Sequence, residues 1–436
     1  MSNKVYVAMS GDLIHHGHMN VIQKARELGE VIIGLHTDEA VASYWRVPFL
    51  SYEERKQIIE NISGVTAVVP QDTFDQVPNL QKYRPQYVVH GDDWKEGPHR
   101  HFRDKVIQCI KEWGGELVEL PYTKGIQLDK VQDLVHGIYT TTDMRRAALR
   151  KLLNIKKHLR VLEAHNGLTG LIVEKTQIEN EEGIRQFDAM WISSLCDSTA
   201  KGKPDIELVD LSSRLSTIHE ILEVTSKPII LDGDTGGKIE HFIYTVRTLE
   251  RIGVSAIIIE DKIGLKKNSL FGTDAGQTQD SIENFCNKIK AGKLAQITKD
   301  FMIIARIESL ILKKGMDDAL KRARAYIEAG ADGIMIHSID KSAEEIFEFC
   351  RQYKQFPLTM PLVVVPTAYN QIKEDALFDA GVNIIIHANH LIRSAYKAMS
   401  QTAHTILQNK RSYEANDQCL SIQEILTLID SDIIGG

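Results

Sequence analysis

Residues 257–269 read IIIEDKIGLKKNS. Three isoleucines run straight into Glu260, Asp261 and Lys262, and a glycine, two lysines, an asparagine and a serine follow. A short, unbroken, β-branched run of this kind reads as a strand buried on both faces. Charges at the end of such a strand are costly unless they bind something. Similar runs lie on either side. The full set is LRVLEAHN (159–166), FDAMWISS (187–194), KPIILDGD (227–234), SAIIIEDK (255–262), FMIIARIES (301–309), ADGIMIHS (331–338), LVVVPTAY (362–369) and VNIIIHAN (382–389). Amphipathic helical segments separate most of them. KKGMDDALKRARAYIEAGADG places Leu320, Ala323, Tyr326 and Ile327 on one stripe and ends at Gly330, a C-cap glycine. KIEHFIYTVRTLERIGVS closes on Gly253 in the same way. Buried strands alternating with helices imply parallel β/α units. Eight units predict a closed (β/α)8 barrel, with a doubly wound open sheet as the alternative.

In such a barrel the active site lies at the C-terminal ends of the strands. The runs end in Glu163 and His165, Ser193 and Ser194, Asp232 and Asp234, Glu260 and Asp261, Arg306 and Glu308, His337, Thr367, and His387 and Asn389. Helix caps and turns would explain any one of these. Charge recurring at the same end of so many strands predicts a site. Asp232 and Asp234 are two apart and leave their strand on one side, and Glu260 follows on the next strand. Three carboxylates without histidine or cysteine spacing suit a hard ion such as Mg²⁺ better than zinc. Arg306 and His337, from the next two strands, supply an anion site opposite the metal. Together these groups fit a phosphorylated carboxylic acid.

Composition excludes several classes. A chain of 436 residues allows two or three domains. A hydrophobic content of 43%, a charged content of 25% and a net charge of −7 describe a globular protein with no basic footprint for nucleic acid. Arg145 to Arg160 holds seven Lys or Arg, but its leucines fall at helical spacing, so it reads as a solvated helix face. Five scattered cysteines without CxxC spacing suggest free thiols in a reducing compartment. The start, MSNKVYVAMSGD, has too short an apolar run for a signal peptide. No stretch approaches the ~20 apolar residues of a membrane span. A cytoplasmic protein without a membrane partner is expected.

As a set, EAHNGL, MWISSL…KGKPD, DGDTGG, IIEDKIGLKKNSL, ARIES, MIHS and ANH resemble phosphoenolpyruvate mutase, of the isocitrate lyase superfamily, over about residues 155–425. The resemblance implies that Asp232 binds Mg²⁺ directly, with Asp234 and Glu260 holding its waters. It assigns the pyruvate carboxylate to Ser193 and the amides near Ser194 and Leu195, and a pocket wall to Trp191. Arg306 and His337 would grip the phosphoryl group, and Asp205 would lie beside it, either accepting it transiently or steering it. Lys262 and Glu308 would orient the metal shell. Lys266, Asn268 and Ser269 lie on a loop that resembles the family's closing lid. Ser194 departs from the glycine of the best-known mutases. The implied reaction interconverts phosphoenolpyruvate and 3-phosphonopyruvate. A phosphonopyruvate hydrolase shares nearly all of these residues and is the alternative, with Asn268 favouring the mutase. A carbon–carbon lyase is disfavoured, because KKNS stands where those enzymes carry KKCGH.

The first part of the chain has its own signature. VYVAMSGDLIHHGHMNVIQKARELG is a strand, a turn and a helix, and His15 and His18 fit H-x-G-H. The glycine lets phosphates approach, two imidazoles donate to them, and the helix start after Gly17 favours anions. With GLHTDE (34–39), LSYEERKQIIENI (50–62) and VVHGDDW (88–94), this stretch resembles cytidylyltransferases over about residues 3–136. That implies a Rossmann-like nucleotidyltransferase domain. His15 and His18 would stabilise the α-phosphate of CTP and Arg55 would assist. Asp12, Asp38, Asp92, Asp93 and Trp94 would shape the nucleotide pocket. Two departures stand out: Gln127 and Leu128 replace the family's GIS-T hydroxyls, and Trp45 precedes Arg46 where a lysine is usual. A degenerate nucleotide-binding or assembly module is the rival reading. The expected plan is residues 1–136, a helical linker 137–158, and a barrel over 159–436. It resembles the bifunctional mutases of phosphonate biosynthesis. The family's dimers and tetramers imply a homo-oligomer.

Overall fold

Val5, Val7 and Met9 pack into one apolar cluster and Tyr6 and Ala8 into another, so β1 (Lys4–Met9) is covered on both faces. The computed structural model describes residues 3–44, 47–95, 100–121, 140–180, 183–269 and 276–429. Beside β1 lie β2 (Glu30–His36), β3 (Val65–Gln71), β4 (Tyr87–Gly91) and β5 (Glu116–Leu120), all parallel, in the order β3-β2-β1-β4-β5. The order reverses at β1, which opens a crevice at the carboxyl ends of β1 and β4, where ligands of such sheets bind. Gly11 turns the chain out of β1 at φ 62°; a Cβ there would lie 2.6 Å from Ile59 Cδ1. The departures at Trp45, Arg46, Gln127 and Leu128 lie outside the described residues, as does the side chain of Asp93.

The second unit is a closed barrel. Its first strand is β6 (Leu159–Glu163); a hairpin of β7 (Gln177–Asn180) and β8 (Gly183–Gln186) leads to β9 (Ala189–Ile192). Then come β10 (Ile229–Asp232), β11 (Ala256–Glu260), the short antiparallel pair β12 (Lys262–Ile263) and β13 (Thr278–Gln279), β14 (Met302–Ile307), β15 (Gly333–Ile336), β16 (Leu362–Val364) and β17 (Ile384–His387). The closed order is β10-β11-β14-β15-β16-β17-β6-β9, all parallel, and each of the eight apolar runs contains one of these strands. The open-sheet alternative is thereby excluded.

The runs look uniformly apolar because both faces are buried. Val161, Trp191, Ile230, Ile258, Ile304, Met335 and Ile386 fill the interior. Their neighbours Ile192, Leu231, Ile257, Ile303, Ile334 and Ile385 pack outward against the helices. A strict period of two then decides which charges face the axis. Ser193, Asp232, Glu260, Arg306 and His337 continue the inner set, whereas Asp261 and His387 continue the outer one. His387 accordingly meets Glu374 at 3.2 Å, behind the wall, and takes no part in the axial cluster.

Leu149, Leu152 and Leu153 of the helix Thr142–Lys156 join the interior cluster and close the end of the barrel where β6 begins. This overturns the expectation of a solvated basic face. Arg145 and Arg146 are buried; Arg145 donates to the carbonyls of Thr140 and Leu222, and Arg146 to that of Glu250. Arg150 pairs with Asp332 at 2.9 Å and Lys156 with Asp188 at 2.5 Å. These partners lie just before their strands, so the cations brace the barrel floor. Among the described residues no helix is long and apolar enough to cross a membrane.

Candidate active sites

At the carboxyl end of the barrel the inner charges form one bonded network. Asp232 Oδ2 accepts from the Ser194 amide (3.2 Å) and hydroxyl (2.9 Å). Arg214, from the helix Leu211–Leu222, donates to the Asp232 carbonyl and to Asp234 Oδ2. Lys266 Nζ reaches Asp205 Oδ1 and Ser194 Oγ, each at 2.6 Å, and pairs with Asp234. Asn268 Nδ2 donates to Asp205 Oδ2 at 2.9 Å. Arg306 donates through Nε to Glu308 Oε1 (2.6 Å) and through Nη2 to Ser269 Oγ (2.6 Å), and it lies 2.9 Å from His337 Nδ1. Lys262 Nζ donates to Ser269 Oγ at 2.9 Å and stands 3.2 Å from Glu260 and 3.4 Å from Glu308. Residues at the ends of five barrel strands, on two loops and on the helix Leu211–Leu222 thus share one buried polar cluster.

The electrostatics separate the acids. Burial alone would raise Asp232, but Lys266, Arg306 and Arg214 outweigh it and hold its carboxyl below the usual range. Asp234 stays raised, because burial and the nearby Asp232 charge outweigh Lys266. Burial lifts Glu260 to about 7 against the pull of Arg306, with Glu308 adding to the rise. Burial and Arg306 push His337 down, so it is a neutral ring at pH 7.

The structure adds detail to three of these expectations. The acids do not form a ready cation cage: among the described residues no group of three His, Cys, Asp or Glu is set to hold a metal, and Lys266 stands between Asp205 and Asp234. The Ser194 amide is engaged by Asp232 rather than free for a carboxylate. Trp191 belongs to the barrel interior at 2% exposure and lies beneath the polar cluster. Ser193, the N-cap of helix Ser194–Ala200, accepts from the Cys196 amide, and Leu195 opens that helix half-buried.

A hard ion nevertheless fits. Mg²⁺ needs only one or two carboxylates and retains waters. Both Glu260 oxygens are buried without a hydrogen-bond partner among the described residues. Lys262 and Arg306 lie within ion-pair distance, but neither has hydrogen-bond geometry to them. Orphaned carboxylate oxygens of this kind call for donors such as ion-bound water.

Arg214 was missed in the sequence, as were the Asp261, Arg322 and Tyr326 group and the Glu207 carboxylate that accepts from the Thr235 amide and hydroxyl. A signal existed for two of them. Arg214 shares a buried helix stripe with Thr217, Ile218 and Ile221, and Arg322 shares one with Ala319, Ala323 and Tyr326. An arginine within an apolar stripe needs a partner inside.

In the first unit, His15 caps the helix His16–Leu28: its Nδ1 accepts from the Gly17 amide at 3.1 Å. His18 Nδ1 accepts from the His15 amide at 3.4 Å, and the rings lie 4.0 Å apart. An imidazole that accepts at Nδ1 carries its proton on Nε2 when neutral. Burial lowers both histidines, His18 to about 4, so both are neutral rings with an Nε2–H to offer. Arg55 is not placed as a phosphate contact. It is fully buried, donates to the carbonyls of Leu50, Ser10 and His36, and pairs with Asp38 at 2.5 Å. Asp12 accepts from the amides of Phe49 and Leu50. These three groups brace the strand ends. Asp92 and Trp94 follow β4; Trp94 is buried, stacks on His90 at 3.8 Å and donates to Glu119.

Residues 104–407 match the family model described as phosphoenolpyruvate phosphomutase. The chain belongs to the phosphoenolpyruvate phosphomutase family. Residues 10–113 match the cytidylyltransferase-like family. The phosphomutase match thus begins within the helix Arg100–Lys111, whose partners are in the first sheet. A phosphoenolpyruvate phosphomutase of Tetrahymena pyriformis is 34% identical over 295 residues, 67% of this chain and 94% of that protein. A phosphonopyruvate hydrolase of Variovorax sp. is 36% identical over 286 residues, 65% of this chain and 94% of that one. The crystal structure of phosphoenolpyruvate phosphomutase from Streptomyces platensis subsp. rosaceus superposes with a TM-score of 0.58 at 35% identity, over 64% of this chain and 93% of that one. A phosphonopyruvate hydrolase complexed with oxalate and Mg⁺⁺ superposes at 0.57 with 34% identity, over 65% of this chain and 94% of that one.

Proposed function

We propose that the barrel interconverts phosphoenolpyruvate and 3-phosphonopyruvate with Mg²⁺. The observation that carries this reading is the Asp205 carboxylate bound by both Lys266 and Asn268 beside Asp232 and Asp234. In the forward direction the bond from phosphorus to the enol oxygen breaks and one from phosphorus to C3 forms, with no net gain or loss of atoms. Asp232, with Asp234 and Glu260 behind it, would hold the ion, which when bound supplies positive charge beside the enolate. Arg306 and neutral His337 bind the phosphoryl oxygens, and Ser193 orients the carboxylate. Asp205 steers the migrating group, which is loosely bonded at mid-transfer. Asn268 and Lys266 cover it and keep water out. Starting from phosphonopyruvate and Mg²⁺, ³¹P NMR is expected to show phosphoenolpyruvate.

The 36% identity to a phosphonopyruvate hydrolase sustains a second reading. Pyruvate and inorganic phosphate as the main products would select it.

Ion binding carries a pH signature. A proton on Glu260 competes with the ion, and its carboxyl titrates at about 7. Calorimetric Mg²⁺ affinity is therefore expected to rise with pH up to about 7, by as much as about tenfold per unit, and then level off. A flat profile would remove Glu260 from the ion's shell.

For the first unit, transfer of a cytidylyl group from CTP to a phosphonate or phosphate monoester is the reading that its paired Nε2 donors support. A homo-oligomer is also proposed. The helix His390–Asn409 has no buried residue and presents Tyr396, Met399 and Leu407 to solvent, as the following segment does Ile422 and Leu426. Apolar side chains exposed together on one face mark an interaction surface.

A further inference from the structure

Asp261 is flanked by two residues of the site, Glu260 and Lys262, yet it points away from it, toward the helix Met316–Glu328. It is completely buried and fully bonded. Oδ1 accepts from the Glu308 amide at 2.9 Å. Oδ2 accepts from Tyr326 Oη (2.7 Å), Gln279 Nε2 (3.0 Å) and Arg322 Nη1 (3.1 Å). Its amide donates to the Arg306 carbonyl, and its carbonyl accepts from the Asp280 amide. Arg322 adds a bond to the Asp280 carbonyl at 2.9 Å. This one side chain therefore ties four things together: the end of β11, the end of β14 that carries Arg306 and Glu308, the β12–β13 stem, and the outer helix. Lys262 is the first residue of β12, paired with Gln279, and the chain runs from it directly to Lys266, Asn268 and Ser269.

We propose that Asp261, clamped by Tyr326, Arg322 and Gln279, is a positioning residue that holds the segment Lys262–Ser269 over Asp205 and thereby sets the partition of the phosphoryl group between carbon or enol oxygen and water. This rests on the phosphomutase reading. An apolar core contact would serve stability equally well. A buried carboxylate receiving four donors fixes direction as well as position, because each bond is lost on a small rotation. When Asn268 and Lys266 drift from Asp205, water reaches the group. In the assay from phosphonopyruvate, the carbon–phosphorus bond then breaks with the phosphoryl group passing to the oxygen of water. One proton of that water ends on C3, giving pyruvate and inorganic phosphate in place of phosphoenolpyruvate.

The test uses the full chain with Mg²⁺ and phosphonopyruvate. An Asp261→Asn amide would turn N–H groups toward donors, so it breaks the clamp. The ratio of inorganic phosphate to phosphoenolpyruvate by ³¹P NMR is expected to rise about tenfold, the scale of one or two lost hydrogen bonds. Tyr326→Phe removes one donor without changing shape and stays informative where the first variant folds poorly. Its ratio should rise about threefold. Amide exchange of peptides within 262–269 should speed up in both variants. A lower rate with an unchanged product ratio and unchanged exchange would overturn the proposal, since that is what a merely structural residue does. Wild-type protein yielding only pyruvate and phosphate would instead overturn the phosphomutase reading, and exchange in 262–269 would still decide the clamp.

Discussion

Asp205→Ala is expected to abolish turnover of phosphonopyruvate while leaving the barrel folded. The residue is not part of any strand or core cluster; it follows the turn after helix Ser194–Ala200. Its carboxylate holds Lys266 and Asn268 in place through its two oxygens. Removing it takes away the negative group proposed to steer the migrating phosphoryl unit, and it also leaves the Lys266 ammonium with Asp234 and Ser194 alone. A preorganised charge at a reacting centre is worth about 10²–10³ in rate, and the loss here adds disorder in the covering residues. The expected fall in kcat is therefore at least about 10³-fold, with little change in thermal midpoint. Near-normal turnover of a folded Asp205→Ala protein would remove Asp205 from the mechanism.

His18→Ala is expected to remove pyrophosphate release from CTP in the presence of an acceptor phosphonate, such as 2-aminoethylphosphonate or 2-hydroxyethylphosphonate, and to spare the barrel reaction. His18 is the third residue of its helix, and its ring fixes the His15 amide while leaving Nε2–H as a donor. One variant thus deletes the proposed phosphate donor and loosens the cap of the helix that follows β1. Loss of a single preorganised donor costs about 10²–10³ in rate. The mutase signal in ³¹P NMR serves as the internal control for folding. No CTP binding by the wild-type protein in calorimetry would reject the transferase reading, whichever acceptor is offered. Release of pyrophosphate undiminished in the variant would show that the histidine pair is not the phosphate site.

Much of the fold was legible in the chain because it rests on local chemistry. Eight runs of β-branched residues each became one barrel strand, since a doubly buried strand tolerates little else. That Asp232, Glu260, Arg306 and His337 come together was readable because strand ends of a parallel barrel converge. His15 and His18 were readable from a spacing of three residues that a helix start brings together.

Other properties depend on which surfaces meet. Whether the basic stretch from Arg145 to Arg160 faces water or the barrel floor depends on where Asp188 and Asp332 arrive in space, far along the chain. Arg55 carries a charge that reads as a ligand for phosphate until Leu50, Ser10, His36 and Asp38 are seen to surround it. Lys266 could be placed on a loop, but not among Asp205, Asp234 and Ser194, which come from three other segments. Period-two alternation sends Glu260 inward and Asp261 outward, yet only packing supplies Tyr326, Arg322 and Gln279 to receive the second acid. The sequence by itself therefore determined the strands, their order of chemistry and the residues able to ionise. Tertiary structure alone decided which of those charges gather at the mouth of the barrel and which are neutralised behind its wall or beneath its floor, because a buried charge takes its role from whatever partner lies within a few ångströms.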